Sequence, residues 1–257
     1  MKRTFVLLLL AVMVLAACMK HEKAGNQNDE SKKTDSLQPQ PEITLDYIEY
    51  EPDKGAILWS EIWLSVNVHK SFSAPWSDNR QDQTEFQCYL SFSYLYFRFR
   101  VPDKTLTLHA PFRRKLDVCD EDRAEIFLSA TAGMDTYYCM EIDPKGRVLD
   151  YKANYYRQFD YEWSFSTLQT ESYIADGCYI VSGRLSTAEL QQLGIPIHGF
   201  YMGVFRADFD GPKDVVWYSL LRVEREQADF HIPEMLFLVK KEPSLIVNDP
   251  LPRDYPK

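Results

Sequence analysis

The chain predicts an all-β domain, an antiparallel β-sandwich of jelly-roll type with one short helix. Three observations point there. Leu95-Tyr96-Phe97-Arg98-Phe99-Arg100-Val101 alternates strictly, so Leu95, Phe97, Phe99 and Val101 share one face of a strand. Five further short runs, at 124–128, 137–142, 178–181, 200–205 and 215–220, are apolar or alternating. Turn signals separate them: Asp143-Pro144-Lys145-Gly146 and Asp176-Gly177 each supply a glycine for positive φ. Many short strands punctuated by turns fit two stacked sheets.

Taken in order, the chain starts with Lys2 and Arg3, an apolar run from Phe5 to Leu15, and then Leu15-Ala16-Ala17-Cys18. The run is too short to span a bilayer and has the layout of a secretory signal, residues 1–17. Leu-Ala-Ala-Cys also resembles a bacterial lipobox, in which Cys18 becomes the lipidated first residue of the mature chain. A plain signal with a coincidental cysteine is the alternative. The lipobox reading implies export and a lipid anchor in the cell envelope, at the outer membrane. Residues 18–42 hold almost no large apolar side chains and cannot offset their ordering entropy, so they read as a flexible tether. The folded domain is expected over 43–242. Within it Ser186-Thr187-Ala188-Glu189 forms a capping box, Leu190 and Leu193 give apolar spacing, and Gly194 stands at the C-cap. A proline-rich tail, 243–257, ends the chain.

The chain carries a formal net charge of −9. Removing Lys2 and Arg3 from 29 basic residues leaves 27 against 38 acids, or −11. A nucleic-acid partner is not expected, because phosphate binding needs surplus Lys and Arg. Cys88, Cys119, Cys139 and Cys178 fall in neither CxxC nor CxxCH spacing, which disfavours zinc and c-type haem. In an exported protein they allow two disulfides in any of three pairings. His109, His198 and His231 are scattered. No nucleophile elbow, glycine-rich phosphate loop or HExxH is present, and the expectation is a binder, not an enzyme. Within Asp117-Val118-Cys119-Asp120-Glu121-Asp122, residues Asp120 to Asp122 read as a solvated acidic turn. Asp120 and Asp122 are candidates for a structural calcium, although the spacing is not that of an EF-hand.

The order of motifs resembles the family 9 carbohydrate-binding modules. The resemblance rests on Leu95-Tyr96-Phe97-Arg98-Phe99, Asp122-Arg123-Ala124-Glu125-Ile126-Phe127-Leu128, the 137–143 run with Pro144-Lys145-Gly146, and Gly177-Cys178-Tyr179-Ile180-Val181. It continues through 199–208 with Arg206, then Trp217, then Phe230-His231-Ile232-Pro233, covering about 45–241. The family fold is a β-sandwich, and its members bind sugars by clamping a ring between aromatic faces amid charged hydrogen-bonding groups. Some also hold structural calcium. The resemblance implies an oligosaccharide or polysaccharide partner, with Trp217 as a stacking platform, Glu125 accepting sugar hydroxyls and Arg206 near the ligand. The second stacking aromatic falls where this chain has Cys119, and Trp76, in Ser73-Ala74-Pro75-Trp76-Ser77-Asp78, is the available substitute. Plain alternatives are a core tryptophan at 217, a solvent-facing strand glutamate at 125, and Arg206 paired with Asp208 or Asp210. Rival functions are a structural or protein-interaction lipoprotein with a degenerate sugar site, a glycosidase using carboxylates of 120–125, and a haem-binding domain with Met140 or Met202 and His198 as axial ligands.

Overall fold

The computed structural model describes residues 40–211 and 214–241. The signal, the Cys18 lipobox, nearly all of the tether and the C-terminal tail lie outside the described residues. Fourteen strands and one α-helix are described, with 3-10 turns at Glu61–Leu64, Lys115–Asp120 and Pro233–Met235.

The back sheet runs β10 (Gln169–Ala175), β11 (Cys178–Ser186), β5 (Tyr94–Pro102), β4 (Glu85–Leu90), and the end of β1 (Glu42–Tyr47). The front sheet starts with β1 and continues through β14 (Phe237–Lys241), β12 (Gly199–Phe209), β6 (Arg123–Ser129), β7 (Thr136–Ile142), β8 (Val148–Asn154) and β9 (Gln158–Asp160). The far half of β12 also carries β13 (Val215–Ser219), which pairs with β2 (Ser73–Ala74), itself paired with β3 (Arg80–Gln81). The predicted sandwich is therefore present, as one path curled so that β1 belongs to both sheets. Most pairs are antiparallel, but β1 runs parallel to both β14 and β4. Side-chain alternation has a period of two in either direction, so the sequence pattern of β1 is silent on this.

The strict alternation of β5 has its expected result. Leu95, Phe97, Phe99 and Val101 are buried between the sheets against Ile126, Leu128, Met140 and Val204. The opposite faces of the strands are not left to solvent. The outer face of the front sheet carries a second core, where Val118, Phe230, Ile232 and Leu236 cover Phe127, Tyr137, Cys139 and Phe205. The outer face of the back sheet carries a third, where Ile57, Ile62 and Trp63 cover Tyr89 and Tyr96. The long connections before β4, before β6 and after β13 fold back over the sheets, and every residue of β6 is consequently buried.

The short helix α1 (Thr187–Gln192) starts where predicted. Ser186 Oγ accepts from Ala188 N, and Gly194 takes φ +79 past the end. The reciprocal half of the capping box does not form. Glu189 instead accepts from the backbone N–H groups of Ser166 and Thr167, at 2.6 and 2.8 Å. Cys88, Cys139 and Cys178 are free thiols, so the two disulfides that the four cysteines allow are not formed. Cys88 lies in the inter-sheet core and Cys139 in the outer core.

Candidate binding site

Strand register determines which predicted residues can meet. On the outer face of the front sheet, Trp217 of β13 and Arg123 of β6 both stand opposite Ala207 of β12. The small methyl group of Ala207 leaves room above it, and the Arg123 guanidinium reaches over, 5.1 Å from the Trp217 ring centroid. That is cation–π range. In the next row Phe205 faces Glu125, which faces Glu141 of β7. Arg123 Nε lies 2.9 Å from Glu125 Oε1 and 2.6 Å from Glu141 Oε2. Its Nη1 donates to the carbonyls of Cys119 and Glu121, and Tyr151 donates its hydroxyl proton to Glu141 at 2.8 Å. Two carboxylates thus share one guanidinium beneath an indole.

Trp76 reaches this end from the loop between β2 and β3. Its Nε1 donates to the Trp217 carbonyl at 2.9 Å. Phe230 binds the group together: it lies edge-on to Trp76 at 6.0 Å and to Trp217 at 5.7 Å, and stacks on Phe205 at 4.0 Å. Both tryptophans remain half-buried, with surface left to offer a ligand. Of the sequence candidates, the structure brings Trp76, Trp217 and Glu125 to one end of one face.

Glu125 is not a solvent-facing strand residue; it is only 2 % exposed. Burial raises its carboxyl, the Glu141 charge raises it further, and Arg123 opposes both, leaving it at about 8. At neutral pH this pair therefore favours keeping a proton, and a carboxyl that keeps one can donate as well as accept.

Arg206 is not part of this group. Period-two alternation puts it on the interior side of β12, opposite Ala124 and Tyr218, with Val204 and Met202. There it pairs with Asp82 at 2.8 Å, Asp103 at 3.0 Å and Asp208 at 2.9 Å. The alternative of a pair with Asp208 is thus realised in part. Burial works against the Arg206 charge, but Tyr179, Asp82 and Asp208 hold the group protonated.

The solvated-turn reading of 120–122 is corrected. Glu121 and Asp122 are both 0 % exposed, because the segment before β6 folds across the outer face instead of looping into water. Arg147 forks onto Glu121 at 2.9 Å to each oxygen. Asp122 accepts from the N–H groups of Thr107 and Phe209, at 2.6 Å each. Its carboxyl rises to about 7, chiefly through burial and further through Asp103 and Asp208, with the two N–H bonds opposing.

Carboxylate oxygens of Asp103, Asp122 and Asp208 lie within 4.8 Å of one another, a hard-oxygen set of the kind calcium takes. These residues fit such an ion in donor class, beside Arg206, which already neutralises part of their charge. Asp120 is outside the set, 4.0 Å from His109. Cys119, in the place of the expected aromatic, is half-buried against the outer core, and its carbonyl serves Arg123. Met140 and Met202 are in the inter-sheet core while His198 is exposed, so the structure does not pair them as axial ligands.

Arg123 and Glu141 were not among the sequence candidates. The signal was present: Arg123 and Glu125 sit two apart on one strand, and Tyr137, Cys139 and Glu141 alternate on the next. Only the register between the strands shows that the two signals meet.

A β-sandwich with half-buried tryptophans beside a buried Arg–Glu–Glu group is the architecture of a ligand-binding module. The model of one family, Carbohydrate family 9 binding domain-like, matches residues 54–223. The chain belongs to that family. Among solved structures it is similar to a candidate carbohydrate-binding protein from Bacteroides uniformis, with a TM-score of 0.60 and 14% identity, covering 79% of this chain and 100% of that one. It is also similar to a family 9 carbohydrate-binding module from Caldicellulosiruptor kristjanssonii. Against the glucose complex the TM-score is 0.52 at 16% identity, over 81% of this chain and 100% of that one. Against the cellotriose complex it is 0.52 at 15% identity, over 83% and 100%. No curated protein matches the chain.

Proposed function

We propose that the protein binds carbohydrate without cleaving it, presented at the cell envelope by lipid on Cys18 and serving glycan capture or catabolism. A pyranose offers an apolar C–H face that stacks on an indole, and hydroxyls that need charged donors and acceptors. The half-buried Trp217 supplies the first, with Trp76 beside it. Arg123, Glu125 and Glu141 supply the second from below. Trp217 carries the reading, since it joins a half-buried aromatic face to that polar group.

Titration with glucose and cellotriose, followed by calorimetry, tests it. Trp217→Ala is expected to lower affinity at least tenfold, roughly the worth of one aromatic hot spot. No binding of any mono- or oligosaccharide by the wild type would sink the function, and unchanged affinity in the variant would sink the site alone.

Two observations favour a second reading, a structural or interaction lipoprotein with a degenerate site. The Arg123 guanidinium already lies over Trp217, and Cys119 stands where a second aromatic was expected. The same titration separates the two. We further propose that Asp103, Asp122 and Asp208 hold a structural calcium. Chelation is then expected to lower the melting temperature and added calcium to restore it; a melting temperature indifferent to both removes the ion.

A further inference from the structure

The outer face of the back sheet holds a second cluster of ligand-binding character, across the sandwich from Trp217. Register sets two rows there. Tyr173, Ile180, Arg100 and Glu85 run across β10, β11, β5 and β4, and Glu171, Ser182, Arg98 and Gln87 run beside them. The segment carrying the 3-10 turn Glu61–Leu64 lies along these rows. Leu58 N donates to Glu171 at 2.9 Å, and Gln87 Nε2 donates to the carbonyls of Trp63 and Val66. This positions Trp59 edge-on to Tyr173, ring centroids 5.0 Å apart at 70°. The two rings are 50 % and 47 % exposed, large aromatic surface left in water at the mouth of a polar strip.

Inside the strip, polar groups are buried without hydrogen-bond partners among the described residues. Ser182 is fully buried, yet its Oγ has none, and neither has the buried Nε of Arg98. A buried polar atom left unmatched costs about 1–3 kcal/mol, so such pairs mark places where something else completes the set. Arg98 and Arg100 make no ion pair among the described residues. The carboxylate opposite Arg100, Glu85, is held by Lys70 at 2.7 Å. Two guanidiniums without carboxylate partners thus stand two residues apart on one face of β5, in a chain of net charge −9. Burial depresses the Arg98 guanidinium; Glu85 opposes the shift and Arg100 adds to it.

We propose that this strip is a second glycan site, selective for sugars bearing a carboxylate. Trp59 and Tyr173 take the ring face. Arg98 receives the carboxylate side-on through Nε and Nη, the fork geometry that suits a planar anion, with Arg100 beside it and Ser182 bonding the same group or a neighbouring hydroxyl. Salt largely screens charges more than about 8–10 Å away, so the overall negative charge weighs little at the strip and selection is local to the two arginines. The site is independent of the Trp217 site.

The test uses tetramers of galacturonate, glucuronate and mannuronate, with their methyl esters, titrated calorimetrically into the wild type and three variants. At least one acid tetramer is expected to bind and its ester to bind at least tenfold more weakly. Arg98→Gln and Tyr173→Ala are each expected to weaken the acid tetramer at least tenfold. Trp217→Ala should leave it unchanged. Tyr173 lies on an exposed edge strand outside the three cores, and melting curves confirm that each variant is folded. Failure of all three acids to bind overturns the proposal. So does binding that the Arg98 and Tyr173 variants leave intact, and loss in Trp217→Ala alone would place the ligand in the other site. Loss of glucose binding in Trp217→Ala with acid binding intact separates the two proposals directly.

Discussion

Glu125 shows what a buried position does to a carboxylate. Its ordinary value of 4.5 rises to about 8 in the fold, through burial first and Glu141 second. The folded protein therefore holds a proton that the unfolded chain has released across that interval. Stability from this group is fully present below about 4.5 and is lost as pH rises through about 8. In the calcium-free protein Glu121 and Asp122, both raised to about 7, add slopes of the same sign. The urea midpoint of the wild type is expected to fall between pH 5 and 8. Glu125→Gln, which removes one titration and keeps the shape, should fall less over the same range. An identical slope in both would show that Glu125 does not carry the proton. The same residue shows how far sequence reasoning reached. Its place two after Arg123 on a strand was legible, but its burial was not, because burial depends on the segments 107–121 and 223–236 folding over β6 from a distance.

At the scale of the element, β12 is the spine of the front sheet. It pairs with β6 along one edge and with β14 and then β13 along the other. Its alternation was readable, and with it the two faces that separate Phe205 from Arg206. Which face met Glu125 was not, since that follows only from the register of Phe205 opposite Glu125. Gly203 is one reason the register can be packed. A Cβ there would lie 2.5 Å from the Phe205 ring and 3.0 Å from Leu236. Gly203→Ala must displace the ring that stacks on Phe230, and overpacking of this kind costs about 1–3 kcal/mol. Chemical denaturation should show that loss, together with weaker binding at the proposed Trp217 site; an unchanged midpoint would mean that the outer core yields freely.

For the whole molecule, six of the fourteen described strands, β5, β6, β7, β11, β12 and β13, and the inter-sheet core followed from local alternation, as at Leu95, Phe97, Phe99 and Val101. The two outer cores, the parallel setting of β1 and the interior position of Arg206 did not, because each is a relation between segments far apart in the chain. The parallel setting has a mechanical side. β1 is registered from Glu42 opposite Leu238 to Leu45 opposite Lys241, and then from Asp46 opposite Tyr89 to Tyr47 opposite Leu90. A pull on the N-terminal end of β1 against the C-terminal end of β14 acts along both strands at once. Their hydrogen bonds are then loaded together in shear instead of opening one after another like a zip. Stretching single molecules between those two ends should give a markedly higher rupture force than stretching across β10 and β11, where the hairpin peels bond by bond. Equal forces would show that β1 does not bear the load. If a tether attaches this domain to a surface, the strand it joins is the one built to be pulled.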